Sequence, residues 1–525
     1  MAEHPDQLYD SLMSFQVADY VSTTEALQRV AALIDLAGDL GRPQAVDHGI
    51  NLATQFLERS GLDAGAKATT HYFLANAWSH KGRLSRITSG REWDWKQEEV
   101  EKEFIHLRLA MQEANSADLP AVRRCQIQTN FANLLSFVGR FVEAIEYWNR
   151  ALNIDAAFSM AMANRGYGLS HYGRVLYDPG HTRVFLQQAY RDLAHAVSLG
   201  VDDSAAPVFE RCRAEIEAAL PIEWLQQATE MERFSLGEST EERSYRRFCL
   251  DAQLFLNPLN DLGAFPIAAH DCFTTPSIVV DVGEGPYYHG FFNQLKQEFV
   301  SARYLYYDGI TAAAPHFADK GVLLYDTMDY PSYSLAVEKQ KAAFRIGYSL
   351  FDKVAYFLNH YLRLGIPERS VTFRTIWYEK QDRAKGLKSQ LQGSQNWPLR
   401  GLFWLSKDVF ENNPGTQDSI EPDARELDEI RNHLEHKYLK LHGDEWSPAL
   451  EGSRASLGIA DTLAHSLSRR DFEARTLRIL KLARAALIYL SLGVYSEERQ
   501  RRKATGKGKR VVRAYLNACD DASKL

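Results

Sequence analysis

The stretch Asp428–Leu441, "DEIRNHLEHKYLKL", brings an arginine, an asparagine and a histidine together as Arg431, Asn432 and His436. Arginine is always charged, and its planar guanidinium can grip two phosphate oxygens at once. Histidine, with an ordinary pKa of about 6.5, moves protons near neutral pH. On a helix Asn432 and His436 are i,i+4 neighbours, so the amide can orient the imidazole or hold an oxygen of a bound group. Together the three suit proton transfer and charge stabilisation at a phosphodiester.

Spacing alone is weak evidence, because Arg42/His48, Arg165/His171 and Arg174/His181 stand at comparable intervals of six or seven positions. Those arginines precede Pro43, Gly166 and Val175 and fall in repeat helices or turns; Arg431 precedes a polar residue on an amphipathic helix. His270-Asp271 suggests a metal phosphohydrolase, but the pair lies in an irregular stretch between Pro266 and Pro276. "VGEGPYYHG" lacks the Lys-Ser/Thr of a phosphate loop and reads as a turn. No metal and no cofactor is expected.

The motif needs a helix to hold it. From Pro422 to Gly443 the chain reads as one helix, on which Leu427, Ile430, Leu434, Tyr438 and Leu441 form an apolar stripe. Arg431 lies beside the stripe, and His436 ends the polar arc nearly opposite it, away from its own core. His433 and Lys437, on the other flank, read as ordinary surface residues. Three further helices are expected, within Ser334–Gly365, Trp397–Glu411 and Asp471–Lys503. In the first of these Ile346, Leu350, Val354, Phe357 and Tyr361 step at helical intervals. Four amphipathic helices predict a four-helix bundle over 331–513, closed by a basic tail.

Upstream, "NFANLLSFVGR" (Asn130–Arg140) aligns with "NRGYGLSHYGR" (Asn164–Arg174) at an offset of 34 residues. "ANAWSHKGR" (Ala75–Arg83) is an earlier copy, displaced by an insertion around "TSGREWDWKQEE". Gly139 and Gly173 are expected at the turns, and Phe141, Ile145, Trp148 and Leu152 on one helical face. Residues 20–220 thus resemble the tetratricopeptide (TPR) family, which implies stacked helical hairpins that bind a protein partner or brace the rest. Residues 221–330 read as a small mixed α/β connecting segment, with "PSIVVDVGEG" and "ARYLYYDG" as β-like runs. The fold class is mainly α.

With Arg431, Asn432 and His436 set in a helical bundle, the C-terminal part resembles the HEPN superfamily (higher eukaryotes and prokaryotes nucleotide-binding domains). Its ribonuclease branches carry an Arg, four to six residues and a His, with a polar residue commonly after the Arg. The resemblance implies a metal-independent endoribonuclease in which the RNA 2′-OH is the nucleophile, leaving a 2′,3′-cyclic phosphate and a 5′-hydroxyl. It also implies a homodimer through the bundle, since one chain offers a single Arg/His set, and a toxin or phage-defence role. The alternative is a non-catalytic TPR/HEPN adaptor for dimerisation, protein or nucleotide binding. The tail Arg499–Arg513 holds eight Lys or Arg and no acid. Arg501, Arg502, Lys503, Lys507, Lys509 and Arg510 are its candidates for salt-sensitive RNA contacts, against a merely solvated helix end.

Composition sets the outer limits. A net charge of −7 over 525 residues means that any RNA site is a local patch. The five cysteines form no C-x-x-C pair, which argues against a zinc ribbon or disulfide framework. No signal-peptide pattern and no apolar run of membrane-spanning length is apparent, so a cytoplasmic protein without membrane contact is expected.

Overall fold

Asp63 and Asp178 stand just ahead of helical periodicity, and each carboxylate accepts a backbone N–H three residues on, from Ala66 at 2.7 Å and His181 at 2.8 Å. Such N-caps satisfy donors that a first turn otherwise leaves bare. A computed structural model of the chain describes residues 5–14, 22–227, 229, 231–281, 283–325, 327–410, 422–443, 446–447, 461, 463–504, 515–521 and 524. Its first helices are α1 (Pro5–Met13), α2 (Thr23–Asp39), α3 (Pro43–Leu57), α4 (Ala64–Ser89) and α5 (Glu98–Ala114). They continue as α6 (Ala121–Phe137), α7 (Phe141–Ile154), α8 (Ser159–Val175), α9 (Pro179–Leu199) and α10 (Ala206–Ala219). Helices pair in order, α2 with α3, α4 with α5, α6 with α7 and α8 with α9.

Within this helical array Phe141, Ile145 and Trp148 are buried and Leu152 half-buried. Gly139 turns the chain between α6 and α7 with φ +91°. Gly173 does not turn the chain. It stays inside α8, where a Cβ would press on Phe185 of α9 at 2.9 Å, so the residue serves close packing rather than a bend. The insertion around "TSGREWDWKQEE" is not loose either: Trp95 is wholly buried, and its indole N–H donates to the Ser394 carbonyl at 2.8 Å.

The connecting segment differs from the expectation. α11 (Ile222–Gln226), α12 (Thr240–Asp251) and α13 (Leu259–Leu262) lead to α14 (Tyr287–Thr311). "ARYLYYDG" is helical and lies in α14, because Phe292, Leu295, Phe299, Ala302 and Tyr306 make a buried face at helical spacing. "PSIVVDVGEG" forms no strand among its described residues. Two buried arginines hold this region. Arg303 pairs with Asp271 at 2.8 Å, and Arg484 pairs with Asp261 at 2.6 Å while donating to the Asn257 carbonyl at 3.0 Å.

The C-terminal helices are α15 (Leu335–Tyr361), α16 (Trp397–Phe410), α17 (Pro422–His436) and α18 (Arg469–Ala504). α15 packs against α14 and α18, and α16 against α18 and α17. Strands β1 (Tyr438–His442) and β2 (Ala464–Ser468) pair in parallel, Tyr438 opposite Ala464 and His442 opposite Ser468. No helix among the described residues is long and apolar enough to cross a membrane.

Array and bundle share one core. The backbone crosses itself at Gly139 and Gly401, where a Cβ on either would collide with the other strand of chain. Beside this crossing the buried Asp408 of α16 receives Arg108 of α5 at 2.7 Å and also Arg140. Arg140 in turn holds Glu143 at 2.6 Å. Burial raises the Asp408 carboxyl, but the two guanidiniums outweigh it and hold the group below its ordinary value.

Asp408→Ala would leave two guanidiniums buried without their shared acceptor, and should destabilise the protein by about 3–5 kcal/mol. Because the native carboxyl titrates below an unfolded value of about 3.9, its stabilisation is complete above that value. It is lost as pH falls through the native one. Thermal or urea unfolding of wild type and variant, at neutral and acid pH, measures both effects.

Candidate functional site

Leu427, Ile430 and Leu434 form the buried side of α17, seated among α15 and α16. The helix ends at His436, with His433 and His436 in its last turn, a placement the helix dipole favours when either imidazole is protonated. The expected continuation through Tyr438 and Leu441 is overturned: both belong to β1. After the exposed Tyr438 the strand is buried on both faces, and its partners lie far off in the sequence. Lys440, only 2% exposed, binds Asp329 at 2.6 Å and Asp461 at 2.8 Å. The Ser332 amide donates to the Leu441 carbonyl at 2.7 Å.

These contacts fix where α17 stops. Arg345, from the middle of α15, completes the anchoring: its guanidinium donates to the Leu434 carbonyl and lies 3.7 Å from Glu435. A cation so placed satisfies a carbonyl that the helix end leaves without an intrahelical donor.

Arg431 is half-buried, with its guanidinium 5.7 Å from the centre of the Tyr348 ring. Its Nη1 makes a long hydrogen bond of 3.4 Å to Asn432 Oδ1, and Asn432 Nδ2 makes another of 3.4 Å to Asp428 Oδ2. His436 is exposed, and among the described residues no hydrogen bond, ion pair or ring contact engages it. The motif thus presents a guanidinium held against an aromatic ring and an imidazole free to meet an incoming group. His433 is not an ordinary surface residue. It is half-buried, bonds the Glu429 carbonyl at 2.8 Å and stacks on His465 of β2 at 4.9 Å. Burial, and secondarily the nearby His433, lower the His465 pKa against the opposing pull of Glu429.

Arg431 opens onto a groove of about 480 Å³ between α14, α15 and α17. Tyr348, Asp352 and Tyr356 of α15 and Phe291 of α14 line it with Arg431. Burial, then the Asp428 carboxylate, raise the Tyr348 pKa, which keeps its hydroxyl a donor. Asp352 accepts the Phe373 amide at 2.9 Å. Burial raises its carboxyl above the ordinary value, against the opposing influence of that amide and of Arg431. Sequence reasoning missed Arg345, Tyr348 and Asp352. They sit on α15, about 80 positions before the motif, where no local spacing ties them to Arg431.

The tail candidates stand apart. Arg501 lines a different groove, with Asp281, Glu284 and His360, and its guanidinium rests 4.6 Å from the Tyr361 ring centre and 3.3 Å from Glu498. Arg502 donates to the Ser277 carbonyl at 3.2 Å, and Lys503 is exposed. Lys507, Lys509 and Arg510 lie outside the described residues. Among the rival motifs, Arg165 is committed to Asp192 at 2.7 Å. At the His270-Asp271 pair the carboxylate is taken by Arg303 and the imidazole stacks on Phe234 at 5.3 Å.

Residues 279–497 match the model of the LA2681-like HEPN family. The C-terminal part of the chain is a HEPN domain. The match takes in α14 and ends inside α18, so α14 stands with the four expected helices and the basic tail beyond Glu497 stands outside. No curated protein and no solved structure matches the chain.

Replacing Arg345 by Met would strip the end of α17 of its charged donor. A loss of about 1–3 kcal/mol in stability is expected, together with faster hydrogen exchange at the backbone amides of 434–437. Native-state exchange measured by NMR or mass spectrometry separates this local loosening from a global change.

Proposed function

We propose that this chain is a metal-independent endoribonuclease of the HEPN type that acts as a homodimer. The observation that carries the reading is the end of α17, where a ring-backed Arg431 and an unengaged His436 occupy one helix with Asn432 between them. The imidazole moves the proton of the ribose 2′-OH or of the leaving 5′-oxygen. The guanidinium neutralises charge that builds on the phosphorane. Asn432 holds a ribose or phosphate oxygen beside them.

One histidine cannot readily act as acid and base in the same step, so two copies of α17 must face one groove. A surface near the exit of α17 suits a second copy of the chain. The run 322–325 exposes Leu323 at 80% and Tyr325 at 82%, and Ser332 beyond it is tied to β1 through Leu441. Large apolar side chains held so far out of a fold are a feature of association surfaces. The array, welded to α16 through Asp408, is the part from which a bound partner restrains or releases the nuclease. Toxin-like growth arrest or antiviral defence is the corresponding cellular role, in the cytoplasm.

On single-stranded RNA, His436→Ala should lower kcat/KM by about 10²- to 10⁴-fold, and Arg431→Ala by about 10²- to 10³-fold, both with unchanged melting temperature. Unchanged rates in both variants would remove the motif from catalysis, and no cleavage by the wild type would leave the adaptor reading in its place. Separately, the double substitution Leu323→Asp with Tyr325→Asp should convert a dimer to monomer in analytical ultracentrifugation and abolish cleavage. A wild-type monomer that cleaves RNA would remove the dimer from the account.

A further inference from the structure

The groove beside Arg431 holds more than the motif requires. Its volume of about 480 Å³ lies within the ~300–1,000 Å³ of sites that take small ligands. It therefore has room for one unstacked nucleotide. Three aromatic rings line it: Tyr348, which backs Arg431, and the edge-to-face pair of Phe291 and Tyr356 at 5.8 Å. Single-stranded RNA is commonly read by rings that stack a splayed base while polar groups bond its edge.

A half-buried polar group suited to such an edge is Asp352. Its neighbours in the groove are already committed, Lys353 to Glu298 at 2.6 Å and Arg345 to the end of α17. Among the described residues the Phe373 amide, at 2.9 Å, is the one hydrogen-bond donor to Asp352. A carboxylate has two oxygens and about four acceptor positions, so most of its capacity remains for a ligand.

An acceptor-only group discriminates sharply among the bases. Guanine offers two adjacent donors on its Watson–Crick edge, N1–H and the N2 amino group, which match two carboxylate oxygens. Adenine and cytosine each place an acceptor nitrogen beside a single amino donor. Uracil places one N–H between two carbonyl acceptors, which a carboxylate repels. Building on the endoribonuclease reading, we infer that this groove binds a guanine base, with Asp352 on its Watson–Crick edge, and so places a neighbouring phosphodiester at Arg431. Asp352 is then the residue that determines which sequences are cut.

The simpler role for Asp352 is to anchor the Phe373 amide, and Asp352→Asn separates the two. Its carbonyl oxygen still accepts from Phe373, while its amino group turns a donor toward the base. The full-length protein is assayed on a randomised single-stranded RNA, with cleavage positions sequenced. Binding of the 3′-monophosphates of the four nucleosides to His436→Ala protein is followed in parallel by calorimetry.

Wild-type cuts should cluster beside guanines, and 3′-GMP should bind more tightly than the other three nucleotides. Asp352→Asn should reduce both preferences by roughly 10- to 100-fold, with its melting temperature unchanged. Cleavage without base preference, or a preference that survives Asp352→Asn, overturns the inference and leaves the nuclease reading intact. If RNA is not cut at all but 3′-GMP binds selectively and loses that selectivity in the variant, the groove assignment stands and the nuclease reading falls. Absence of both cleavage and selective binding removes both.

Discussion

The structure depends on one carboxylate shared by two buried guanidiniums. Asp408 lies on the bundle side of the seam and Arg108 and Arg140 on the array side, all three almost wholly removed from water. Desolvating three charges is costly, and the cost is offset only because each is paired and the geometry is fixed by packing around it. The requirement for a close approach is met by Gly139 and Gly401, whose missing side chains let α16 and the α6–α7 turn touch. Once α16 is held in this way it forms, with α15, the bed in which α17 lies. The array is therefore part of the foundation of the site.

The motif helix itself is fastened at its end and open on one side. Its apolar stripe is buried, Arg345 grips the Leu434 carbonyl, and β1 carries the chain away at once through a buried Lys440 clasped by two aspartates. That arrangement leaves little freedom for the backbone on which Arg431 and His436 stand. Rigid placement of this kind lets charge and proton groups act without reorganising at the moment of reaction. The freedom that remains is in the exposed His436 side chain, where the proposed dimer would bring a second surface.

Much of this was legible in the sequence where the signal is local. The stripe of Leu427, Ile430 and Leu434, the long helix after Ser334 and the turn at Gly139 all follow from spacing and residue type, and all are present. Where the sequence misled, tertiary partners decided. Tyr438 and Leu441 keep helical spacing from Leu434, yet β2 and the pairing of Lys440 draw them into a strand. "ARYLYYDG" has the aromatic look of a strand when read alone, whereas the wider window from Phe292 to Tyr306 has the period of a helix. Gly173 matched Gly139 in the repeat but serves packing against Phe185. Of the candidate site, the placement of Arg431, Asn432 and His436 on one helix was readable. The groove that faces it is built by α14 and α15, and only the fold brings those side chains to Arg431.

The central claim is that RNA supplies its own nucleophile and protein side chains supply everything else. The most direct measurement is end-group analysis of RNA fragments produced by the full-length protein in excess EDTA. The account predicts undiminished cleavage, with every new 3′ end a 2′,3′-cyclic phosphate and every new 5′ end a hydroxyl. Cleavage abolished by EDTA, or fragments ending in 3′-hydroxyl and 5′-phosphate, would contradict it.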